Sequence, residues 1–191
     1  MSRFHDLLSD YSFHLGLVEF DESLARDACK AGCECGGTLH HSNYPRKPRG
    51  LSAALAELYE QRLSFCCDQE SCRRRLTPRS VRFLGRRWFA FAMVLLACVL
   101  DHGATSKRTA QLKGLLDVSE ETLGRWRRWW RRTFPATSVW QELRGLFVPA
   151  IRPAEIPRAL LERSTITGDG PRVGALLLLM SPLSTGSHRG A

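Results

Sequence analysis

Five of the seven cysteines fall into two short clusters: Cys33 with Cys35, and then, about thirty residues later, Cys66, Cys67 and Cys72. An odd total and the adjacent pair at 66–67 fit a disulfide framework poorly. The pattern that does fit is two tight turns, each offering two thiolates to one tetrahedral metal ion, for which zinc is the usual occupant. Gly36 and Gly37 follow the first pair directly and let the backbone fold back so that its N–H groups face the sulfurs. Between the clusters, "LSAALAELYEQRLSFCC" begins with helix formers and ends in the alternation Leu63, Phe65, Cys67, which suits a strand leading into the second turn. Residues 29–77 therefore read as a zinc-ribbon-like β-hairpin module.

The spacing departs from the commonest two-residue gap. One residue separates Cys33 from Cys35, and four separate Cys67 from Cys72, or five if Cys66 is the ligand. The expected ligands are Cys33, Cys35, Cys67 and Cys72, with Cys66 the rival to Cys67. Cys29, His40 and His41 are spare donors, and reduced, buried cysteines without metal are the alternative. Four thiolates would close the coordination sphere, so the expected cofactor is a structural Zn2+. The zinc-hydrolase and deaminase signatures, His-Glu-x-x-His and His-x-Glu before Cys-x-x-Cys, do not occur. Cys98 sits inside an apolar run and reads as packing.

Charge narrows the partner. The formal net charge is +9, yet residues 73–132 alone carry 15 basic and 4 acidic side chains, +11, leaving −2 for the rest. So concentrated a basic block suits a polyanion, nucleic acid before an anionic membrane. The most apolar stretch, "WFAFAMVLLACVL" at 88–100, is bracketed by Arg86, Arg87 and Asp101. As a helix it would reach roughly 20 Å, short of the roughly 30 Å hydrocarbon core, so it is expected inside the fold. The first residues show no apolar run ahead of a cleavage site; a cytoplasmic chain without a membrane partner is expected.

Pro78 and Ser80 open the helical half, and the apolar helix is expected to run to about Leu100, with Gly103 as its stop. A short helix over about 107–116 follows, then the turn "DVS". Ser119 is an N-cap, and Glu120 and Glu121 complement the dipole of a second helix reaching Phe134 before Pro135. Two helices about so short a turn make a helix-turn-helix. Val118, Leu123, Trp126 and Trp130 share one face. Arg125, Arg128 and Arg132 share another, and Arg127 and Arg131 a third. The expected contacts to double-stranded DNA are Thr122, Arg125, Arg127, Arg128, Arg131 and Arg132, with Thr122, Arg125 and the Glu120–Glu121 pair nearest base edges. A solvated basic helix packed through its tryptophans is the alternative. For Arg73, Arg74 and Arg75, phosphate contact and plain solvation look alike.

A cysteine ribbon, a basic connector and "LLDVSEETLGRWRRWW" resemble, over roughly residues 33–134, the N-terminal recognition part of bacterial insertion-sequence transposases. Those enzymes continue into a catalytic domain holding three metal-binding carboxylates. Here 57 residues follow Phe134, with Glu142, Glu155, Glu162 and Asp169 their only acids. The resemblance therefore implies DNA recognition without strand-transfer chemistry, in a transposon-associated accessory protein or a small transcriptional regulator. A transposase or other DNA-processing protein is a second partner to test. The alternative is a zinc-stabilised interaction module contacting a transposase or polymerase. The chain offers no paired acid and base, nucleophile elbow or phosphate loop, so no enzymatic activity is expected. The expected architecture is mainly α: an N-terminal helical segment (1–28), the ribbon-like module (29–77), the helix-turn-helix domain (78–135), a C-terminal helical extension (136–182) and a disordered tail (183–191).

Overall fold

In the computed structural model, which describes residues 3–85 and 89–185, helix dominates and strand is confined to short pieces in the cysteine-rich region. A 3₁₀ turn (Arg3–Leu8) precedes α1 (Tyr11–Ala31). Asp10 caps α1, its carboxylate accepting from the Phe13 N–H at 3.1 Å, and Gly32 stops it with φ at 73°. His14, Leu17, Asp21 and Ala25 are buried along one stripe of α1, at the three- and four-residue spacing of a packed helix face. Tyr11, just past the cap, is exposed and donates its hydroxyl to Glu57.

Next come β1 (Leu39–His41), β2 (Tyr44–Pro45), α2 (Ala53–Ala56), β3 (Gln61–Arg62), β4 (Phe65–Cys67) and β5 (Arg75–Leu76). β4 lies between β1 and β5, antiparallel to both, with Leu39 opposite Cys67 and Phe65 opposite Leu76. β2 pairs with β3 separately.

The apolar run forms α3 (Phe91–Asp101), in which every residue from Phe91 to Val99 is buried. A helix apolar on all sides belongs at the centre. Among the described residues, no helix is long and apolar enough to cross a membrane. The helix starts later than Pro78 and Ser80 suggest. Residues 80–83 are instead held in a non-helical bend by a buried network: the Asp21 carboxylate accepts from the Ser80 hydroxyl (2.6 Å), the Val81 N–H (2.7 Å) and the Arg82 guanidinium (2.8 Å). Arg82 donates onward to the Leu58 carbonyl, so the ion pair is desolvated yet fully hydrogen-bonded. Arg86, Arg87 and Trp88 lie outside the described residues.

α4 (Ser106–Leu116) and α5 (Glu120–Arg128) pack on α3. Thr105 caps α4, Asp117 turns the chain in the left-handed region (φ 48°), and Ser119 caps α5 by accepting from the Thr122 N–H at 3.2 Å. Past Arg128 the helix widens into a π turn (Trp129–Thr133), the Phe134 N–H reaching back five residues to Trp129 before Pro135 ends the ladder. α6 (Ser138–Leu143), α7 (Arg158–Glu162) and α8 (Asp169–Leu179) complete the helices.

One core runs from Leu7 through α3, Leu123, Trp126 and Trp130 to Met180, so the chain's two ends and its helical centre share buried surface. A smaller cluster of Ala25, Leu39, Phe65 and Cys67 underlies the cysteines. Part of the expected tail is ordered. Ser184 is buried in the turn Ser181–Thr185, and its hydroxyl accepts from the Ser80 N–H at 2.8 Å. Residues 186–191 lie outside the described residues.

Candidate metal centre and basic helix

The turn after α1 brings Cys33 and Cys35 to the start of β1, and the strand pair β1–β4 carries Cys67 back beside them. Cys72 arrives from the turn between β4 and β5. All four sulfurs lie within 4.8 Å of one another. The closest pairs are Cys35–Cys67 at 3.4 Å, Cys33–Cys35 at 3.5 Å and Cys33–Cys72 at 3.7 Å. These are non-bonded distances, and all seven cysteines are free thiols. Four sulfurs at such spacing can hold a metal ion.

Backbone N–H groups are aimed at three of them. The Gly37 N–H, with the Cys67, Cys33 and Cys72 thiols, holds Cys35 down to about 7. Burial pushes Cys67 up to about 12 despite an N–H from Gln69. Cys72 accepts from the Arg74 N–H but is raised, the Cys35 thiol outweighing that donor together with burial and Cys33. In each case the donor is two residues after the cysteine, which is how a tight turn presents N–H groups to a thiolate. Gly37 has a second reason to be glycine. A Cβ there would stand 2.6 Å from the Cys67 sulfur and 2.5 Å from the Gln69 side chain.

The two turns are also tied to each other. Thr38 N–H donates to the Asp68 carboxylate at 2.9 Å while Asp68 N–H donates to the Thr38 carbonyl at 3.0 Å. Arg74 pairs with Glu34 across the same gap. An acid directly after Cys67 is the sequence signal for this tie, one that cysteine spacing alone does not weigh.

Of the rival and spare donors, none enters the group. Cys66 faces the other side of β4, its sulfur 3.6 Å from the Arg73 carbonyl, because adjacent strand residues point to opposite faces. Cys29 packs against the small core with its sulfur 3.8 Å from the Leu39 carbonyl. His40 lies 3.7 Å from Asp68, and His41 lies against Phe65. Cys98 is buried in α3, its thiol pushed up by desolvation.

The basic helix divides differently from its wheel. Leu123, Trp126 and Trp130 are buried, as are Thr122 and Trp129. Thr122 is not on the outward face: its hydroxyl accepts from Ser119 at 3.1 Å and from Arg125 at 2.9 Å. Arg127 is turned inward onto Asp101 at 2.5 Å, with Glu120 at 3.6 Å. Nothing in the local sequence announces that pair, since α3 supplies the acid. Arg125 is exposed, with Glu121 at 3.9 Å. Arg128, Arg131 and Arg132 are exposed and make no ion pair among the described residues. Comparison with family models, with curated proteins and with solved structures finds no match.

Proposed function

We propose that this chain is a DNA-binding protein in which a structural zinc holds the cysteine module and α4–α5 act as a helix-turn-helix on duplex DNA. The observation that carries it is the sorting of α5. The apolar residues of α5 dock on α3, while Arg128 at its end and Arg131 and Arg132 in the π turn that continues it are exposed without acidic partners among the described residues. Three exposed guanidinium groups without an ion pair suit contact with a phosphate backbone. For the metal, zinc–thiolate bonds of about 2.3 Å put tetrahedral sulfurs about 3.8 Å apart, close to the separations here. All-sulfur ligation also favours zinc over harder ions. The order of a cysteine ribbon followed by two capped helices supports the resemblance to transposase recognition parts, hence a transposon-associated accessory protein or small regulator. A zinc-stabilised protein-interaction module is the second reading. The open groove of about 500 Å³ between α1 and the small sheet, with an apolar floor of Ala25, Cys29, Leu63 and Phe65 and charged Glu22, Arg26 and Lys30 also lining it, favours it.

Duplex binding by arginine variants separates the two. Arg128→Ala and Arg131→Ala should weaken binding to every duplex sequence without lowering the melting temperature. Arg127→Ala should lower the melting temperature instead, because it leaves the largely buried Asp101 carboxylate without its cation and with only the Thr109 hydroxyl. Arginine variants that bind DNA as well as the parent would leave the interaction reading in its place.

A further inference from the structure

At about 100° per residue, Glu121, Gly124 and Arg128 fall on the side of α5 opposite Trp126, facing away from the core. Glu121 and Arg128 are exposed. Gly124 is the centre of a nine-residue helix, where glycine is the poorest choice after proline. Nothing inside the protein asks for it: a Cβ at Gly124 would meet no atom within 4 Å, and its φ is not left-handed. Three other helical glycines, Gly16, Gly114 and Gly145, also face open space. Gly114 sits in the last turn of α4, where its carbonyl accepts from Asp117 at 3.4 Å, and Gly16 lies between apolar Leu15 and Leu17. Gly145 belongs to a short 3₁₀ turn (Arg144–Leu146), whereas Gly124, itself half-buried, lies mid-helix between the exposed Glu121 and Arg128.

We propose that Gly124 is the point of closest approach between α5 and duplex DNA, a bare spot that lets the helix sit deep in the major groove. The inference rests on the DNA-binding reading and goes further by fixing which face enters. A helix with side chains is roughly 10–12 Å across and the groove roughly 12 Å wide, so one side chain on the leading face decides the depth reached. With no side chain at 124, Glu121 and Arg125 beside it come level with the base edges, while Arg128, one turn further on, stays on the phosphate backbone. Arg suits the guanine O6 and N7 acceptors, and Glu the cytosine amino group. Thr122, buried beneath the cap, takes no part in this approach.

The test compares Gly124→Ala and Gly124→Leu with the parent, using the full chain and the duplex that the parent recovers from a randomised pool. Because the site is open and alanine favours helix, Gly124→Ala should melt at a higher temperature than the parent. The same variant should bind the selected duplex about tenfold more weakly, and Gly124→Leu more weakly still. A more stable protein that binds less well cannot be explained by misfolding. If both variants bind that duplex with the parent's affinity, the close approach is refuted while DNA binding stands. A parent that recovers no duplex at low salt overturns the DNA-binding reading and this inference with it.

Discussion

His14, buried on α1, has both ring nitrogens engaged: Nε2 lies 3.1 Å from the Leu7 carbonyl and Nδ1 2.6 Å from the Tyr59 hydroxyl. A carbonyl can only accept, so Nε2 carries the proton and Nδ1 accepts from Tyr59. Burial drives its pKa from 6.5 down to about 4, although the Leu7 and Leu8 carbonyls and Asp10 pull it upward. The unfolded chain therefore takes up a proton that the folded chain refuses. This contribution to stability is complete above about pH 6.5, falls as pH drops through the window to about 4, and then levels off; its size is about 3 kcal/mol. Urea unfolding at pH values across that window should show the loss. In His14→Gln, which keeps an amide at the site without a titrating group, the drop should be smaller by that amount. An equal drop in parent and variant would mean that His14 binds its proton equally well in the folded and unfolded chains.

Strand β4 places Cys67, and not the adjacent Cys66, in the four-sulfur cluster. Its alternation buries Phe65 and Cys67 together and turns Cys66 to the opposite side. Cys67→Ser should lose the bound metal and melt the module, because ligation and folding are one equilibrium there. Cys66→Ser should keep both, and metal content measured alongside the melting curve distinguishes them. A Cys66→Ser protein without metal would reverse the assignment. This much was legible in the sequence, since Leu63, Phe65 and Cys67 already alternate and the glycines after Cys35 already mark a turn. The pair α4–α5 was legible for the same reason: Ser119 and the apolar spacing are local signals. The late start of α3 was not. It depends on Asp21 binding Ser80, Val81 and Arg82 from about sixty residues away, and no local pattern encodes such a partner. Thr122 and Arg127 were misjudged on the same ground. A helical wheel assigns faces but does not know that Ser119 and Asp101 will claim those side chains.

At the scale of the whole molecule, the shared core from Leu7 to Met180 makes a rigid support on which a basic helix is displayed, with the cysteine module fixed alongside through the buried end of α1. The functional reading requires that the net charge of +9, concentrated in residues 73–132, meets phosphate. Each neutralised phosphate releases condensed counterions, so the logarithm of the binding constant falls linearly with that of salt concentration, by about 0.9 per phosphate. The deciding measurement is this slope for duplex DNA, in the parent and in a variant with Arg128, Arg131 and Arg132 all changed to Ala. The parent should show a steep negative slope. The variant's should be shallower by about 2–3, because each arginine neutralises one phosphate. An unchanged slope in a folded variant, or a parent whose duplex binding ignores salt, would contradict the claim that α5 binds DNA.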